Sequence, residues 1–396
     1  MRSPCLHPAL ALCSLLLFAQ GASAQLFDNL RINSTRVPLG DPSIESSVSP
    51  EGPKGVVTAD FDRDGFADVA ASNADGTVNV LYGAGDGGFA ERLLLTGEAA
   101  TLRGIIAADL NGDAAPDIAG ADPFSGQLLI FLNSGTARGF ETASNLPTWH
   151  GARNLLADDF DGDGRVDLVV AGSPTGLKHF RGDGGGGFTE AGMLAGLGTA
   201  TAQSLYEFKP VYTLRSFTPA GSALPKLAVT HAHTTSLWIL GSAPTGDLQI
   251  EAELFSSPDD PNFRQLHDFE IAPLSSPLTS STPDLVTVSK VTNTVTVWRC
   301  LSDAPYFSQE PFQQFSIAGG PRAVSVADTN HDGWGELAIV VRNFDRALVF
   351  RNAFGLLEPM ATLPSPRSPR ELVMPDLNGD GCADVIVINR KSNDLQ

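Results

Sequence analysis

Basic residues are scarce in this sequence of 396 residues, where 26 Lys and Arg are outnumbered by 45 Asp and Glu. The formal net charge of −19 argues against nucleic acid as a partner, because phosphate binding requires clustered Lys and Arg. It also argues against adhesion to anionic lipid through simple electrostatics. The location of the negative charge along the chain is therefore the informative feature.

Long apolar runs are absent after the N-terminus, so we predict no transmembrane helix. The N-terminus is typical of a secretory signal, with Arg2, the apolar residues 9–19 and the small residues 22–24. A membrane anchor is the alternative, but the apolar run is too short to span a bilayer comfortably. We expect residues 1–24 to be removed, a mature chain that starts at Gln25, and a secreted, extracellular or cell-surface protein. The periplasm is an alternative location.

Cysteine is also rare, since the chain has four and two of them, Cys5 and Cys13, lie in the predicted signal. Cys300 and Cys382 remain, and the sequence leaves open whether their Cα atoms come close enough to pair. The mature protein is not a scaffold built on disulfides.

Familiar catalytic motifs are absent, because the chain has no H-E-x-x-H, G-x-S-x-G or P-loop pattern. Carboxylate-based hydrolysis leaves little trace in a sequence, so an extracellular polysaccharide hydrolase or lyase stays open as an alternative function. The spare acids for such a site are ungrouped in the sequence: Asp122, Asp158, Asp268 and Glu270.

What the chain does contain is a nine-residue acidic pattern, repeated five times. Positions 1, 3 and 5 hold Asp or Asn, and position 9 holds Asp or Glu. The five segments, called here the first to fifth loops, are 60–68, 109–117, 159–167, 328–336 and 376–384. The first three begin 49 and 50 residues apart and the last two 48 apart, a period typical of solenoids or propellers.

Each repeat contains four short β-type runs bounded by turn residues, which is the content of one propeller blade. The gap from Asp159 to Asp328 spans about three periods, so two degenerate repeats should lie inside it, with strands near Leu227 and Asp284. The sequence thus predicts an all-β, seven-bladed β-propeller with four-stranded antiparallel blades, two of them degenerate.

The chain stops where the third strand of the seventh repeat should begin. Either the sequence is truncated, or the N-terminal segment 25–48 completes the last blade, with Leu26–Ile32 as an outer strand. Closure of this kind would protect both free sheet edges. We favour it, and place the propeller at residues 49–396.

Oxygen ligands at alternate positions of a tight loop suit a hard cation, and Ca²⁺ takes six to eight oxygens at about 2.3–2.6 Å. The predicted side-chain ligands are Asp60, Asp62, Asp64, Asp68, Asp109, Asn111, Asp113, Asp117, Asp159, Asp161, Asp163, Asp167, Asp328, Asn330, Asp332, Glu336, Asp376, Asn378, Asp380 and Asp384. The predicted carbonyl donors at position 7 are Phe66, Ala115, Arg165, Trp334 and Cys382.

The charge of these loops supports bound cations. They hold 17 of the 45 acidic residues against only Arg63 and Arg165. Two carboxylates 4 Å apart repel by about 4 kcal/mol at an effective dielectric of 20, and a cation offsets that repulsion. Solvated turns are the alternative. An EF-hand is excluded, because position 12 is never Glu and the flanks are strands. We expect up to five structural calcium ions, with the second loop weakest or most distorted because Ala114 replaces Gly.

The five loops resemble the FG-GAP and VCBS repeats, the family that includes the seven-bladed propeller of integrin α-subunits. The resemblance implies a propeller with calcium at the Asp, Asn and Glu positions, and none in the two degenerate repeats. It says little about activity, because the family includes adhesion receptors, bacterial surface proteins, lectin-like modules and propellers attached to enzymes.

We therefore expect a monomeric, non-catalytic binding, adhesion or scaffold module for protein or carbohydrate. Apparent inserts at 200–225 and 255–283 are the candidate contact surface, and a purely architectural domain is a third possibility. The tripeptide Arg181-Gly182-Asp183 reads as a turn rather than an adhesion motif. Without a third ligand, His231 and His233 favour packing or solvent exposure over a zinc site. Asn33-Ser34-Thr35 is a glycosylation acceptor only in a suitable host.

Overall fold

The computed structural model describes residues 37–39, 52–99, 101–135, 138–172, 176–195, 212–231, 236–243, 245–254, 266–278, 283–365, 367–391 and 394–396. Within these ranges the chain forms 28 β-strands and one short 3-10 turn at Arg342–Phe344, without an α-helix. The strands make seven four-stranded antiparallel sheets, so the predicted seven-bladed propeller is confirmed. The predicted signal, Leu26–Ile32, Asn33-Ser34-Thr35 and His233 lie outside the described residues.

Each blade runs from an inner strand at the central channel to an outer strand. The inner strands of blades 1 to 7 are β2 (Gly55–Ala59), β6 (Gly104–Ala108), β10 (Asn154–Asp158), β14 (Tyr212–Phe217), β18 (Leu266–Ala272), β22 (Pro321–Ala327) and β26 (Pro369–Val373). The second strands are β3 (Asp68–Ser72), β7 (Asp117–Asp122), β11 (Asp167–Gly172), β15 (Lys226–His231), β19 (Asp284–Ser289), β23 (Glu336–Val341) and β27 (Ile386–Asn389).

The remaining strands follow in the same blade order. The third strands are β4 (Val78–Gly83), β8 (Gln127–Asn133), β12 (Gly176–Gly182), β16 (Leu237–Ser242), β20 (Thr294–Trp298), β24 (Arg346–Ala353) and β28 (Asp394–Leu395). The outer strands are β5 (Phe89–Leu95), β9 (Phe140–Pro147), β13 (Phe188–Ala195), β17 (Leu248–Leu254), β21 (Gln313–Ser316), β25 (Leu356–Pro364) and, for blade 7, β1 (Val37–Pro38).

The core consists of seven hydrophobic clusters, one between each pair of neighbouring blades. Successive side chains of a strand point to opposite faces, so Val69 and Ala71 pack toward blade 7 whereas Ala70 packs toward blade 2. Strands such as β3 are consequently buried along their whole length. Burial on both faces explains why the second strands read as nearly continuous apolar runs.

Blades 4 and 5 contain the two predicted degenerate repeats, with second strands at Lys226–His231 and Asp284–Ser289. The interpretation of 200–225 and 255–283 as inserts is wrong in part, because each range contains an inner strand, β14 or β18. These inner strands carry polar residues toward the channel, so their apolar content was too low to mark them as strands.

The last blade draws strands from both ends of the described chain. Val37 and Pro38 pair antiparallel with Leu395 and Asp394, which themselves pair with β27. Leu39 is buried in the cluster between blades 7 and 1. The N-terminal residues thereby cover the free edge of the two-residue strand β28, an edge that would otherwise invite pairing with another chain.

Candidate metal-binding loops

Each acidic loop links the inner strand of its blade to the second strand. Position 9 is the first residue of that second strand in four blades and lies two residues before it in blade 7. In blades 1 and 2, for example, Asp68 pairs with Ala59 and Asp117 pairs with Ala108. The loops therefore follow the ends of the inner strands, in blades 1, 2, 3, 6 and 7.

The side chain at position 1 organises every loop by accepting the backbone N–H of position 6. The five N···O distances are 2.9 Å at Gly65, 2.8 Å at Ala114, 2.9 Å at Gly164, 2.8 Å at Gly333 and 2.8 Å at Gly381. The carboxylate at position 5 accepts the N–H of position 7 in all five loops, at 2.7–2.9 Å. These bonds hold the side chains of positions 1 and 5 against the backbone of the same turn in every loop.

The backbone at position 6 has a positive φ in every loop, +65° at Ala114 and +81° to +93° at the glycines that occupy it elsewhere. Glycine adopts this conformation without the steric conflict that a Cβ atom creates. The second loop nevertheless keeps the same hydrogen bonds as the others. Ala114 thus leaves these two hydrogen bonds intact, and the expectation that this loop is the weakest or most distorted stays a prediction.

In blades 1, 2 and 6 the carboxylate at position 9 is buried and accepts backbone hydrogen bonds from two parts of its blade. Asp68 accepts from Phe61 N and Gly83 N, both at 2.7 Å. Asp117 accepts from Leu110 N at 2.8 Å and Asn133 N at 2.7 Å. This side chain therefore ties the loop to the end of the third strand, in addition to any ligand role.

The same tie persists in blade 5, which lacks the acidic loop. Asp284 begins β19 and accepts from Leu274 N at 3.0 Å, Ser275 N at 2.6 Å and Cys300 N at 3.2 Å. The sequence analysis missed this role, although Asp followed by an apolar β-run is also the pattern of the second strands of blades 1 to 3.

Blade 4 replaces this carboxylate with a cation. Lys226 begins β15, and its Nζ lies 2.7 Å from Glu251 Oε1. Tyr306 of blade 5 donates its hydroxyl to Glu251 Oε2 at 2.8 Å. An ion pair within blade 4, hydrogen-bonded to blade 5 through Tyr306, thus stands where the other six blades have a carboxylate.

The donors of two loops are close enough to share one cation. In the first loop, oxygens of Asp60, Asp62 and Asp64 lie within 4.8 Å of one another. In the third loop, oxygens of Asp159, Asp161 and Asp167 meet the same limit. That spacing is compatible with a common ion at calcium–oxygen distances of about 2.3–2.6 Å, so the residues present fit Ca²⁺.

Arginines outside the loops supply counter-charge that the sequence analysis missed. Arg138 Nε lies 2.7 Å from Asp62 Oδ2, and Arg181 Nε lies 3.1 Å from Asp161 Oδ2. Arg63 of the first loop donates to the carbonyl of Asp113 in the second at 2.8 Å. These contacts offset part of the repulsion, and those of Arg138 and Arg63 also link blades 1 and 2. Most carboxylates of the loops remain without a basic partner among the described residues.

Burial raises the pKa of Asp68 and of Asp117 to about 6, against the opposing effect of their backbone hydrogen bonds. Burial likewise raises the pKa of Asp161, Glu336 and Asp384, and neighbouring carboxylates of the same loops raise each of them further. The loops thus hold ionised groups in surroundings that disfavour negative charge. A divalent cation is the kind of ligand that relieves this.

The other predicted features have structural roles. Gly182 ends β12 and donates to Asp167 Oδ1, while Asp183 accepts the N–H groups of Gly185 and Gly187, so the tripeptide forms a turn as expected. Cys300 and Cys382 are free thiols. His231 ends β15, and its predicted companion lies outside the described residues.

Of the spare acids, the structure brings together only Asp268 and Glu270, which flank Arg215. Arg215 lies 3.6 Å from Asp268 Oδ1 and 3.1 Å from Glu270 Oε2. Asp122 accepts from Phe124 N, and Asp158 from Asp159 N. Within the described residues, no helix has the length and hydropathy of a membrane span.

A family model described as the FG-GAP-like repeat matches residues 60–120 and 159–206, which contain the first three loops. The fourth and fifth loops share the hydrogen bonds of these three although they lie outside the match. No curated protein matches the sequence.

Among solved structures, a chain in the crystal structure of BBS1N in complex with ARL6DN, soaked with mercury, is similar at a TM-score of 0.56 and 11% identity, covering 92% of this chain and 96% of that one. A chain in the lead-soaked crystal of the same complex is similar at a TM-score of 0.57 and 11% identity, covering 91% of this chain and 94% of that one. A protein from Lactobacillus plantarum is similar at a TM-score of 0.53 and 15% identity, covering 80% of this chain and 86% of that one. At these identities the likeness shows the fold alone. Blade architecture and matched repeats together identify the chain as a seven-bladed β-propeller with FG-GAP-like repeats.

Proposed function

We propose that this propeller is an exported, calcium-binding and non-catalytic module that binds a protein or carbohydrate ligand or serves as a scaffold. The observation that carries the proposal is the set of five acidic loops with one hydrogen-bonding pattern. Calcium bound there would cross-link the inner and second strands of each blade. The ring would then present a rigid surface formed by its loops.

The candidate contact surface is the part of the loop end that belongs to blades 4 and 5. Residues 218–225 and 273–283, which follow β14 and β18 there, contain no acidic residue, unlike the five acidic loops beside them. A neutral sector in an acidic rim suits a ligand that the acidic loops would repel. A solved propeller of similar fold is part of the complex of BBS1N with ARL6DN, which is consistent with a protein ligand here.

A polysaccharide hydrolase or lyase is the second candidate function, because Asp268 and Glu270 lie together in the channel. Burial and the Glu270 charge raise the pKa of Asp268 to about 6, against the opposing effect of Arg215. Glycoside hydrolysis uses a pair of carboxyl groups, of which the general acid has a raised pKa. Both groups already engage Arg215, which favours a structural role.

The test is a binding screen of the mature chain against glycans and extracellular proteins, with calcium and with chelator, alongside an assay for glycan degradation. We expect a saturable ligand whose binding depends on calcium and no degradation product. Degradation that is lost in both Asp268→Asn and Glu270→Gln would establish the enzyme instead. A charge-matched control is Asp303→Asn, which alters an exposed acidic residue between the third and outer strands of the same blade.

A further inference from the structure

Six of the seven blades place a basic residue at one register position at the start of the inner strand. The seven residues at this position, one from each blade, are called here the channel ring: Lys54, Arg103, Arg153, Tyr212, His267, Arg322 and Arg370. In blades 1 to 3 the ring residue donates its backbone N–H to the equivalent carbonyl of the second strand, at 2.8–3.0 Å. Only blade 4, with Tyr212, departs from the pattern.

In blades 5 to 7 the ring residue is the extra residue of a β-bulge. The strand pairing shifts between Leu266 and Asp268, between Pro321 and Ala323, and between Pro369 and Glu371, which leaves His267, Arg322 and Arg370 unpaired in the ladder. Bulges re-aim side chains and are frequent beside functional sites. Two different backbone arrangements therefore bring basic side chains to one cavity at the same end of the channel: Arg103, Arg153, His267, Arg322 and Arg370. Lys54 is fully buried and is not part of that lining.

The channel holds a cavity of about 370 Å³ lined by residues of all seven inner strands. This volume falls within the range of roughly 300–1,000 Å³ that small-molecule sites occupy. Its lining includes five arginines and only three acids, Asp268, Glu270 and Glu371. Two of these acids are engaged by Arg215, so little negative charge is left for the ring.

Two ring arginines, Arg153 and Arg322, have no acidic group within salt-bridge distance among the described residues. The Nε of Arg153 is buried and forms no hydrogen bond within the described part of the chain. Arg322 forms no hydrogen bond or salt bridge to a described residue, and Glu371 and Asp268 attract it only from beyond salt-bridge distance. Arg370 donates to the Lys54 carbonyl at 2.7 Å and lies 3.7 Å from Glu371.

The ring is electrostatically unfavourable without a ligand. Burial and the charge of Arg370 lower the pKa of Arg153, and the same two causes lower the pKa of Arg322 to about 10. Burial and nearby basic groups, Arg322 first, lower the pKa of His267 to about 3, so this imidazole is neutral near pH 7. The arginines stay charged, and like charges in a partly desolvated channel repel one another.

We propose that the channel ring binds a small anion that carries phosphate, sulfate or carboxylate groups, held by Arg153, Arg322 and Arg370. Guanidinium groups recognise such oxyanions through paired, charge-assisted hydrogen bonds. An anion there would supply the counter-charge that the described residues lack. Several arginines around one cavity favour a compound with two or more anionic groups.

This site is separate from the acidic loops and goes beyond the proposed function. The ring lies at the start of each inner strand and the loops lie at its end, so six residues at about 3.3 Å each place the two roughly 20 Å apart. A protein that bound anions but no calcium would contradict the proposed calcium role and leave this inference standing.

The test is calorimetric titration of the full mature chain with sulfate, succinate and glucose 1,6-bisphosphate, against chloride at equal ionic strength. These probes bind calcium weakly and separate the three oxyanion chemistries. We expect saturable binding of at least one probe with one site per chain. Arg153→Gln and Arg322→Gln should each weaken it at least about tenfold. Arg351→Gln, a matched loss of charge at an exposed residue paired with Glu358, should leave it unchanged.

A second measurement separates lost binding from lost folding. Because removing one guanidinium relieves repulsion, neither ring variant should melt below the wild type in chloride, whereas the stabilisation by the anion should disappear. The proposal is overturned if no probe binds more than chloride, if both ring variants bind like the wild type, if Arg351→Gln is weakened equally, or if both ring variants fail to fold in chloride.

Discussion

At the residue scale, backbone conformation decides how well a side chain suits the acidic loops. Ala114 holds a φ of +65° where four loops have glycine. The sequence identified this departure and predicted the weakest or most distorted loop, whereas the two hydrogen bonds that shape the loop are kept. When hydrogen bonds fix the loop, one residue can carry the backbone strain without displacing its neighbours. Coordinates are needed to distinguish strain at one residue from distortion of the whole loop.

Replacing Ala114 with glycine should therefore stabilise the protein. Left-handed backbone costs a residue with a Cβ about 1–2 kcal/mol, part of which the greater freedom of glycine in the unfolded chain cancels. We expect Ala114→Gly to raise the free energy of unfolding by about 0.5–1 kcal/mol in denaturant titrations. The reverse change Gly164→Ala should lower it, through backbone strain alone, since a Cβ there meets nothing within 4 Å. Equal stability of all three proteins would contradict this account.

At the element scale, the position-9 carboxylate works as a tie within the hairpin as well as a candidate ligand. Blade 5 shows the two roles apart, because Asp284 keeps the backbone hydrogen bonds in a repeat without the acidic loop. Sequence reasoning assigned the second strand there correctly from its apolar run. The role of Asp284 could not be predicted from the spacing of metal ligands. It depends on the strand register, which places this side chain beside the backbone N–H groups of Leu274, Ser275 and Cys300.

Asp284→Asn should thus destabilise the protein equally with calcium and with chelator. Hydrogen bonds to a charged group contribute about 1.5–3 kcal/mol, so we expect a loss of about 2 kcal/mol in the free energy of unfolding. The exposed Asp303 of the same blade serves as the control, and Asp303→Asn should change stability by less than about 0.5 kcal/mol. A calcium-dependent loss at Asp284 would refute a purely structural tie.

At the scale of the whole molecule, the propeller separates charges that the sequence interleaves. Six of the seven repeats contribute a basic residue at the start of the inner strand, and five contribute acidic residues after it. The repeat period predicted seven blades and the acidic loops from sequence alone. The basic residues share that period, but Arg153 and Arg370 lie more than 200 positions apart, and their convergence depends on closure of the ring.

The central claim is that divalent cations neutralise the acidic loops and hold the blades together. Its most direct test is the melting temperature of the mature chain, with its metal content, after exhaustive chelation and again after calcium add-back. One site held at 100 times its dissociation constant contributes about 2.7 kcal/mol, so several sites should shift the transition by many degrees. We predict a fall on chelation, full recovery with calcium, and up to five bound ions per chain. An unchanged melting temperature and no retained calcium would contradict the account.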